Sequence, residues 1–533
     1  MRATVKIIVL CLPLLALYSD SAFGYVSHPA EHINRLFNDW QFEEGRREAE
    51  EFLKSAPEDS LAKALYAEAL FYFGEYKEAK ELFESVKPLL EKYPYYAEVA
   101  RYNDAAYELT VDMVKHTSDD GHFILLTPAG KDEILKLYIF EPLRKAYENI
   151  GADMGYFPAP PIRIEVYDSI RDLAKATPLT EDEIKNSGTI ALCKYNRLMI
   201  TSPQALLRGY HWLDTLTHEF VHLVMGKASH NKLPLWLHEG MARFHESRWR
   251  GEYRELSYYD RGLLRWGLDR PAERLITFEQ MHPSMAKLPS QEKTALAFAE
   301  VFYAIKFLRS VSGADSMKRI IEAVKRGEDY KDAVEEVSGM NFARFESEWK
   351  RFAGRELKVP PIAPTDYPTL YSFISMQGSE EREERSVEEI RNKKALKLVR
   401  LAEIMRSRGH IKPAIAEYRK AYRHIIQPDA VVMNRYARLL VKEKMFEEAK
   451  GVIEGLSSNF AEDISSRLNL ARYYSGVGDG EKAIKYYEMA NEINPYHPEI
   501  HIELRKLYEK KGVKELKERE REALEILRKE RPN

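Results

Sequence analysis

Cysteine is almost absent. In 533 residues only Cys11 and Cys193 occur. Cys11 lies in an N-terminal segment that reads as removable, so no internal disulfide can form, and stability in an oxidising compartment has to come from packing. Cys193 reads as a small buried residue, because nothing around it resembles a cysteine-protease signature. A bias of charge is also missing: 81 Lys+Arg stand against 84 Asp+Glu, which leaves no electrostatic footprint for nucleic acid. Beyond the N-terminus there is no apolar run long enough to span a bilayer.

The N-terminus itself reads as a targeting signal. Arg2 and Lys6 precede the apolar run Ile7 to Tyr18, which Pro13 interrupts, and Ala22-Phe23-Gly24 offers small residues where a signal peptidase reads. The expectation is a signal peptide over 1–24 and an exported mature chain, periplasmic or secreted, with no transmembrane segment. A chain this long exceeds one core, so three or four domains are expected.

From 25 to 118 apolar residues recur every three or four positions with almost no strand signal. Ala67, Gly74, Ala79 and Phe83 keep the spacing of a tetratricopeptide repeat, in which small residues sit where two helices cross closely. The pattern then changes. His122–Leu126, Ile162–Tyr167, Gly188–Ala191 and Arg197–Ile200 read as strands, with a helix over Lys131–Asn149 and mostly helices down to Arg355, an α+β arrangement for 119–358. Prolines 360, 361, 364 and 368 and the charged run 378–385 mark a linker over 359–392. The last segment, 393–533, is repetitive. Ala402, Ala437 and Ala471 stand thirty-five and thirty-four residues apart, each followed twelve positions later by Ala414, Ala449 or Ala483. Residues from Ile500 to Arg528 read as a helical pair that caps this solenoid with a charged outer face. The expected fold is therefore multidomain and mainly α, with a central α+β unit between solenoid segments of tetratricopeptide type.

The chemistry concentrates between Leu213 and Glu246. His218-Glu219-Phe220-Val221-His222 on a helix puts two imidazoles one turn apart on one face, with Glu219 beside them. Trp236-Leu237-His238-Glu239-Gly240-Met241-Ala242 follows, with Glu239 seventeen positions after His222. Two imidazoles and one carboxylate leave an open position on a tetrahedral metal, the arrangement of a catalytic zinc site. Gly226 suits the end of the first helix, Pro234 restarts the chain, and Gly240 and Ala242 let the second helix approach the first.

These two motifs resemble those of the gluzincin metallopeptidases, and the peptidase-MA-like group with flanking tetratricopeptide repeats is the nearest likeness, over roughly residues 120–355. The resemblance implies one Zn2+ per chain held by His218, His222 and Glu239. It implies Glu219 as the general base that takes a proton from the attacking water and delivers it to the leaving amine. Glu246, seven residues after Glu239, matches the position of an acidic residue that supports a ligand histidine in aminopeptidase-like relatives. One departure stands out. The position of the oxyanion-stabilising tyrosine holds Phe298, and Tyr303, about 140° around the helix, is the candidate to replace it. His230 and His245 are weaker substitutes. Ile190 or Leu198 marks a strand that would lie at the sheet edge and pair with extended substrate.

Function follows as an exported zinc metallopeptidase acting on peptides or proteins, its repeats binding substrates or protein partners. The alternative is a degenerate, non-catalytic zinc-binding scaffold. Metal-assisted hydrolysis of a non-peptide amide shares every residue named.

Overall fold

The computed structural model describes residues 29–206, 208–367, 386–460 and 463–529. The expected signal peptide and the charged run 378–385 lie outside them. Among the described residues helices dominate, and the one sheet is small.

The N-terminal helices pair as the small residues predict. Pro29–Asn38 packs on Phe42–Ser55, and Ser60–Tyr72 on Tyr76–Ser85, followed by Lys87–Lys92 and Pro94–Thr110. Ala67, Ala79 and Phe83 are all buried in this core, which Tyr72, Tyr76 and Tyr102 fill.

Five strands follow: β1 (Val114–Thr117), β2 (Phe123–Thr127), β3 (Ile162–Tyr167), β4 (Ala191–Lys194) and β5 (Arg197–Thr201). Their order is β1-β2-β3-β5-β4, with β2, β3 and β5 parallel and an antiparallel strand at each edge. β1 begins ahead of the boundary expected after 118, and its alternating half-buried and exposed residues carry no apolar signal. The expected helix over Lys131–Asn149 opens as a 3-10 turn, Lys131–Leu135, and then runs as an α-helix to Met154.

Four helices build the site. The motif helix, Trp212–Ala228, is buried nearly all round by Leu216, Phe220, Val221, Val224 and Met225. The ligand helix, Leu235–His245, starts after Pro234 in extended conformation. A third helix, Tyr258–Leu268, is capped by the Ser257 hydroxyl, and the long helix, Gln291–Ser312, by that of Ser290. Gly226 does not end the motif helix, which continues to Ala228. A Cβ there would come within 2.3 Å of the Trp40 ring, so glycine lets the N-terminal helices press against this one. Gly240 likewise faces the long helix rather than the motif helix, since its Cβ would meet Ile305 at 2.7 Å and the Val301 carbonyl at 3.0 Å.

After the central unit the chain stays attached to it. Ile362 is buried on Gly262, and the Tyr367 hydroxyl donates to Asp260. Four helix pairs then stack from Lys393 to Leu527, with Ala402, Ala414, Ala437 and Ala449 buried in one core and Ala471 and Ala490 in the next. The last pair, Pro498–Lys511 and Lys514–Leu527, is not a free cap. Ala523 and Ile526 join the core of the central unit, and Glu520 is buried against Tyr138 and His501. No helix among the described residues is long and apolar enough to cross a membrane.

Candidate metal centre

The i, i+4 spacing does what helix geometry requires. His218 and His222 project from one face of the motif helix with ring centroids 4.9 Å apart. The ligand helix crosses that face and brings Glu239 between them. Glu239 Oε2 lies 3.3 Å from His218 Nε2 and 3.4 Å from His222 Nε2. Ligands at zinc distances of about 2.05 Å in a tetrahedron are separated by about 3.3 Å, so the two edges that meet at Glu239 already have the length such an ion demands. Among the described residues they form the one group of three or more His, Cys, Asp or Glu able to hold a metal ion. Two imidazoles and a carboxylate suit zinc by donor type as well as by spacing.

Charge is arranged to match. Burial alone would depress the His218 imidazole, yet its hydrogen bonds to Glu239 and Glu246 and the nearby Glu219 carboxylate push it up to about 10. Burial opposes ionisation of Glu239, but the two histidines hold its carboxyl far below the usual range. The triad thus concentrates negative potential where a cation would replace the proton.

Glu246 comes to His218 from the other side, Oε2 lying 3.4 Å from Nδ1. That contact directs Nε2 toward Glu239. Glu246 in turn accepts from Arg243 at 2.5 Å, Arg243 donates to Asp260 at 3.1 Å, and Asp260 accepts from the Tyr367 hydroxyl at 2.7 Å. The orientation of one imidazole is therefore supported by a chain of partly buried partners ending in the segment that leaves the central unit. Arg243 was not singled out in the sequence, although its i, i+3 spacing to Glu246 was visible there.

Glu219 is buried beside the triad. Desolvation raises its pKa, while the His222 and His218 charges and the backbone N–H of Cys193, which donates to it, act the other way. That N–H belongs to β4. The sheet order makes β4 the edge strand, and it packs along the motif helix, so the edge is the strand after Ile190 and not β5. Cys193 is buried and unpaired, and burial pushes its thiol up, away from reactivity.

His218, Glu219, Glu239 and Glu246 open on a cavity of about 790 Å³, and Ala191, Leu192 and Lys194 of β4 line the same space. Phe298 lines it too, edge-on to His218 with centroids 5.9 Å apart. The structure does not bring Tyr303 there. Its ring is buried on another side of the long helix, near Lys306 and Glu255. His245 is fully buried, its Nδ1 on the Met241 carbonyl, and His230 pairs with Gln41. Neither lines the cavity.

Residues 144–354 match the model of the Peptidase MA superfamily, and residues 464–497 match that of the tetratricopeptide repeat. No curated protein matches the chain. Among solved structures it is similar to native yeast LTA4 hydrolase and to yeast LTA4 hydrolase in complex with Bestatin. Each is 14% identical, with a TM-score of 0.30 over 78% of this chain and 67% of that one. The chain thus carries a Peptidase MA superfamily domain over residues 144–354 and a tetratricopeptide repeat over residues 464–497.

Proposed function

We propose that the protein is an exported zinc metallopeptidase that hydrolyses peptide bonds, with one zinc per chain. The observation that carries this reading is the pair of 3.3 and 3.4 Å separations among His218, Glu239 and His222, with Glu219 buried on the same cavity. When bound by these three residues, zinc supplies a Lewis acid beside Glu219. Glu219 takes the proton of the attacking water and passes it to the leaving amine. Its desolvation raises its basicity, and the Cys193 N–H fixes its carboxylate. Glu246, held by Arg243, keeps His218 aimed at the ligand position. The outer edge of β4, which lines the cavity, offers backbone groups to an extended substrate, which pairs there by strand addition. Export rests on the N-terminal signal pattern, and the repeats present protein substrates or partners.

Phe298 has no hydroxyl to stabilise an oxyanion, and loss of one such donor costs a factor of roughly a hundred in turnover. It is also the observation that favours the second reading, a zinc-binding scaffold without catalysis. One experiment separates them. The mature chain should contain about one zinc and cleave an unfolded protein substrate in a chelator-sensitive way. The Glu219→Gln variant should keep its zinc and lose activity by about 10²-fold or more. Zinc without cleavage, in wild type and variant alike, would establish the scaffold.

A further inference from the structure

The wall of the cavity is not built by the Peptidase MA domain alone. Phe460, Asp463, Ile464 and Ile493 of the C-terminal solenoid line the same space as His218, Glu219 and Glu239. These solenoid residues are seated firmly. The Phe460 ring lies against Tyr258 and Tyr259, with centroids 5.9 and 6.0 Å apart. The Tyr210 N–H donates to the Ile493 carbonyl at 3.0 Å, and Arg250 bridges Asp214 and Glu492. Further along, the Tyr496 hydroxyl donates to Asp132 at 2.5 Å. The solenoid meets the central unit at several separate points around the cavity, so it works as a fixed wall and not as an arm on a tether.

The chemistry of that wall limits what can enter. Phe460, Ile464 and Ile493 of the solenoid share this lining with Ile190, Leu192, Phe298 and Phe302 of the central unit, an apolar set that stands beside charged residues such as Asp463 and Lys194. Several charged residues in the lining are engaged with protein partners, among them Arg208 with Glu389, Asp214 with Arg250, and Arg254 with Glu492, while Lys287 is exposed at its margin. A charged side chain set against Phe460, Ile464 and Ile493 would lose hydration, whereas an apolar one would gain burial. Size restricts entry too. A sphere of 790 Å³ has a radius of about 6 Å, whereas a folded domain of 100 residues has a radius of gyration of about 13 Å.

We propose that Phe460, Ile464 and Ile493 are specificity-determining residues that form an apolar subsite facing the metal centre. The substrate class is an extended, unfolded peptide carrying a bulky apolar side chain near the scissile bond. This rests on the peptidase reading of the site, and it assigns the solenoid a part in substrate selection by direct contact.

The test measures binding apart from turnover. Two otherwise identical octapeptides, one with phenylalanine and one with aspartate at a central position, are titrated into the zinc-loaded full chain carrying Glu219→Gln. The phenylalanine peptide should bind at least tenfold more tightly. Adding Phe460→Ala should reduce that preference by about tenfold, and Phe460→Leu should retain most of it. Zinc content and the thermal unfolding profile of each variant report whether the solenoid is still in place. Equal binding of the two peptides, or an unchanged preference in a folded Phe460→Ala protein, overturns the subsite. Absence of turnover in the wild-type chain, with the binding preference present, removes the peptidase reading and leaves the subsite standing.

Discussion

The N-terminal helices and the C-terminal solenoid are both stacks of helix pairs, yet they meet the central unit through different physics. The N-terminal contact is a buried ion cluster. Glu165 of β3 is completely buried and is held by Arg163 at 2.6 Å, by Arg197 at 3.1 Å and by the Tyr167 hydroxyl at 2.6 Å. Tyr76, from the N-terminal helices, also donates to it, and the Arg197 guanidinium lies 4.7 Å over the Phe71 ring and 5.2 Å over Tyr76. The C-terminal contact is spread over separate ring contacts, hydrogen bonds and ion pairs, among them those of Glu492 with Arg250 and Arg254 and of Glu522 with Lys136. Only the second reaches the cavity, whose lining begins at Pro178. The first fixes the sheet; the second shapes the space above the metal centre. Similar helical repeats therefore serve as a frame on one side and as part of the site on the other.

The comparison breaks most visibly at Glu165. Replacing it by glutamine leaves Arg163 and Arg197 buried without a counter-charge, which should cost about 3–5 kcal/mol. Chemical denaturation should show that loss while the preference among bound peptides stays unchanged. The pH dependence has a definite sign. Burial opposes ionisation of Glu165, but the Arg197 and Arg163 charges hold its pKa down to about 2. A group depressed in the folded state contributes stability above its unfolded pKa of about 4.3 and loses it as pH falls toward 2. The wild type should weaken across that window by roughly 3 kcal/mol, and Glu165→Gln should be flatter there. Equal acid sensitivity in both proteins would mean that the cluster does not carry this load.

How far the sequence could be read depends on the range of the interactions involved. His218, His222 and Glu239 were legible because the spacing of the first motif is a helix period and Pro234 marks where the second helix starts. The repeats were legible because small residues recur at one period. Contacts between distant segments were not. Gly226 was read as a helix end, but its partner is Trp40, far away in sequence. Strand periodicity located β2, β3 and β5, whereas β4 starts at Ala191, where the expected strand Gly188–Ala191 ends; strand order is a tertiary property, so the edge stayed open until the sheet was seen. Tyr303 was a reasonable substitute by residue type, but the helix face it occupies is packed near Lys306 and Glu255, away from the metal centre. Nothing along the chain announced that Phe460 would share a cavity with His218.

A smaller effect sharpens the same contrast from the frame side. At Gly226 an added Cβ would press into the Trp40 ring, and the ring or the N-terminal helix must give way. Gly226→Ala should cost about 1–3 kcal/mol as overpacking. Because Lys227 pairs with Glu43 at 2.5 Å next door, the strain should show as faster hydrogen exchange in Pro29–Asn38 and Phe42–Ser55. The metal centre lies one turn or more toward the start of the motif helix, so zinc content should be unchanged. Loss of zinc would mean that the N-terminal frame positions the ligands as well as the sheet.

The smallest effect tests the solenoid side. The Tyr496 hydroxyl donates to Asp132 at 2.5 Å, but Asp132 also accepts from Ser202 at 2.5 Å and keeps a donor when Tyr496 becomes phenylalanine. The Tyr496→Phe cost should therefore stay near 1 kcal/mol, the net value of one hydrogen bond and not that of an orphaned carboxylate. Its functional consequence should be out of proportion to that figure. Tyr496 follows Ile493 by three residues, so loosening it frees the backbone that Tyr210 holds and with it part of the cavity wall. Peptide affinity should fall several-fold in Tyr496→Phe and remain unchanged in Gly226→Ala, although Gly226→Ala is the more destabilising of the two. If affinity instead follows stability across both variants, the frame and the wall are not separable, and the two flanks act on the site as one body.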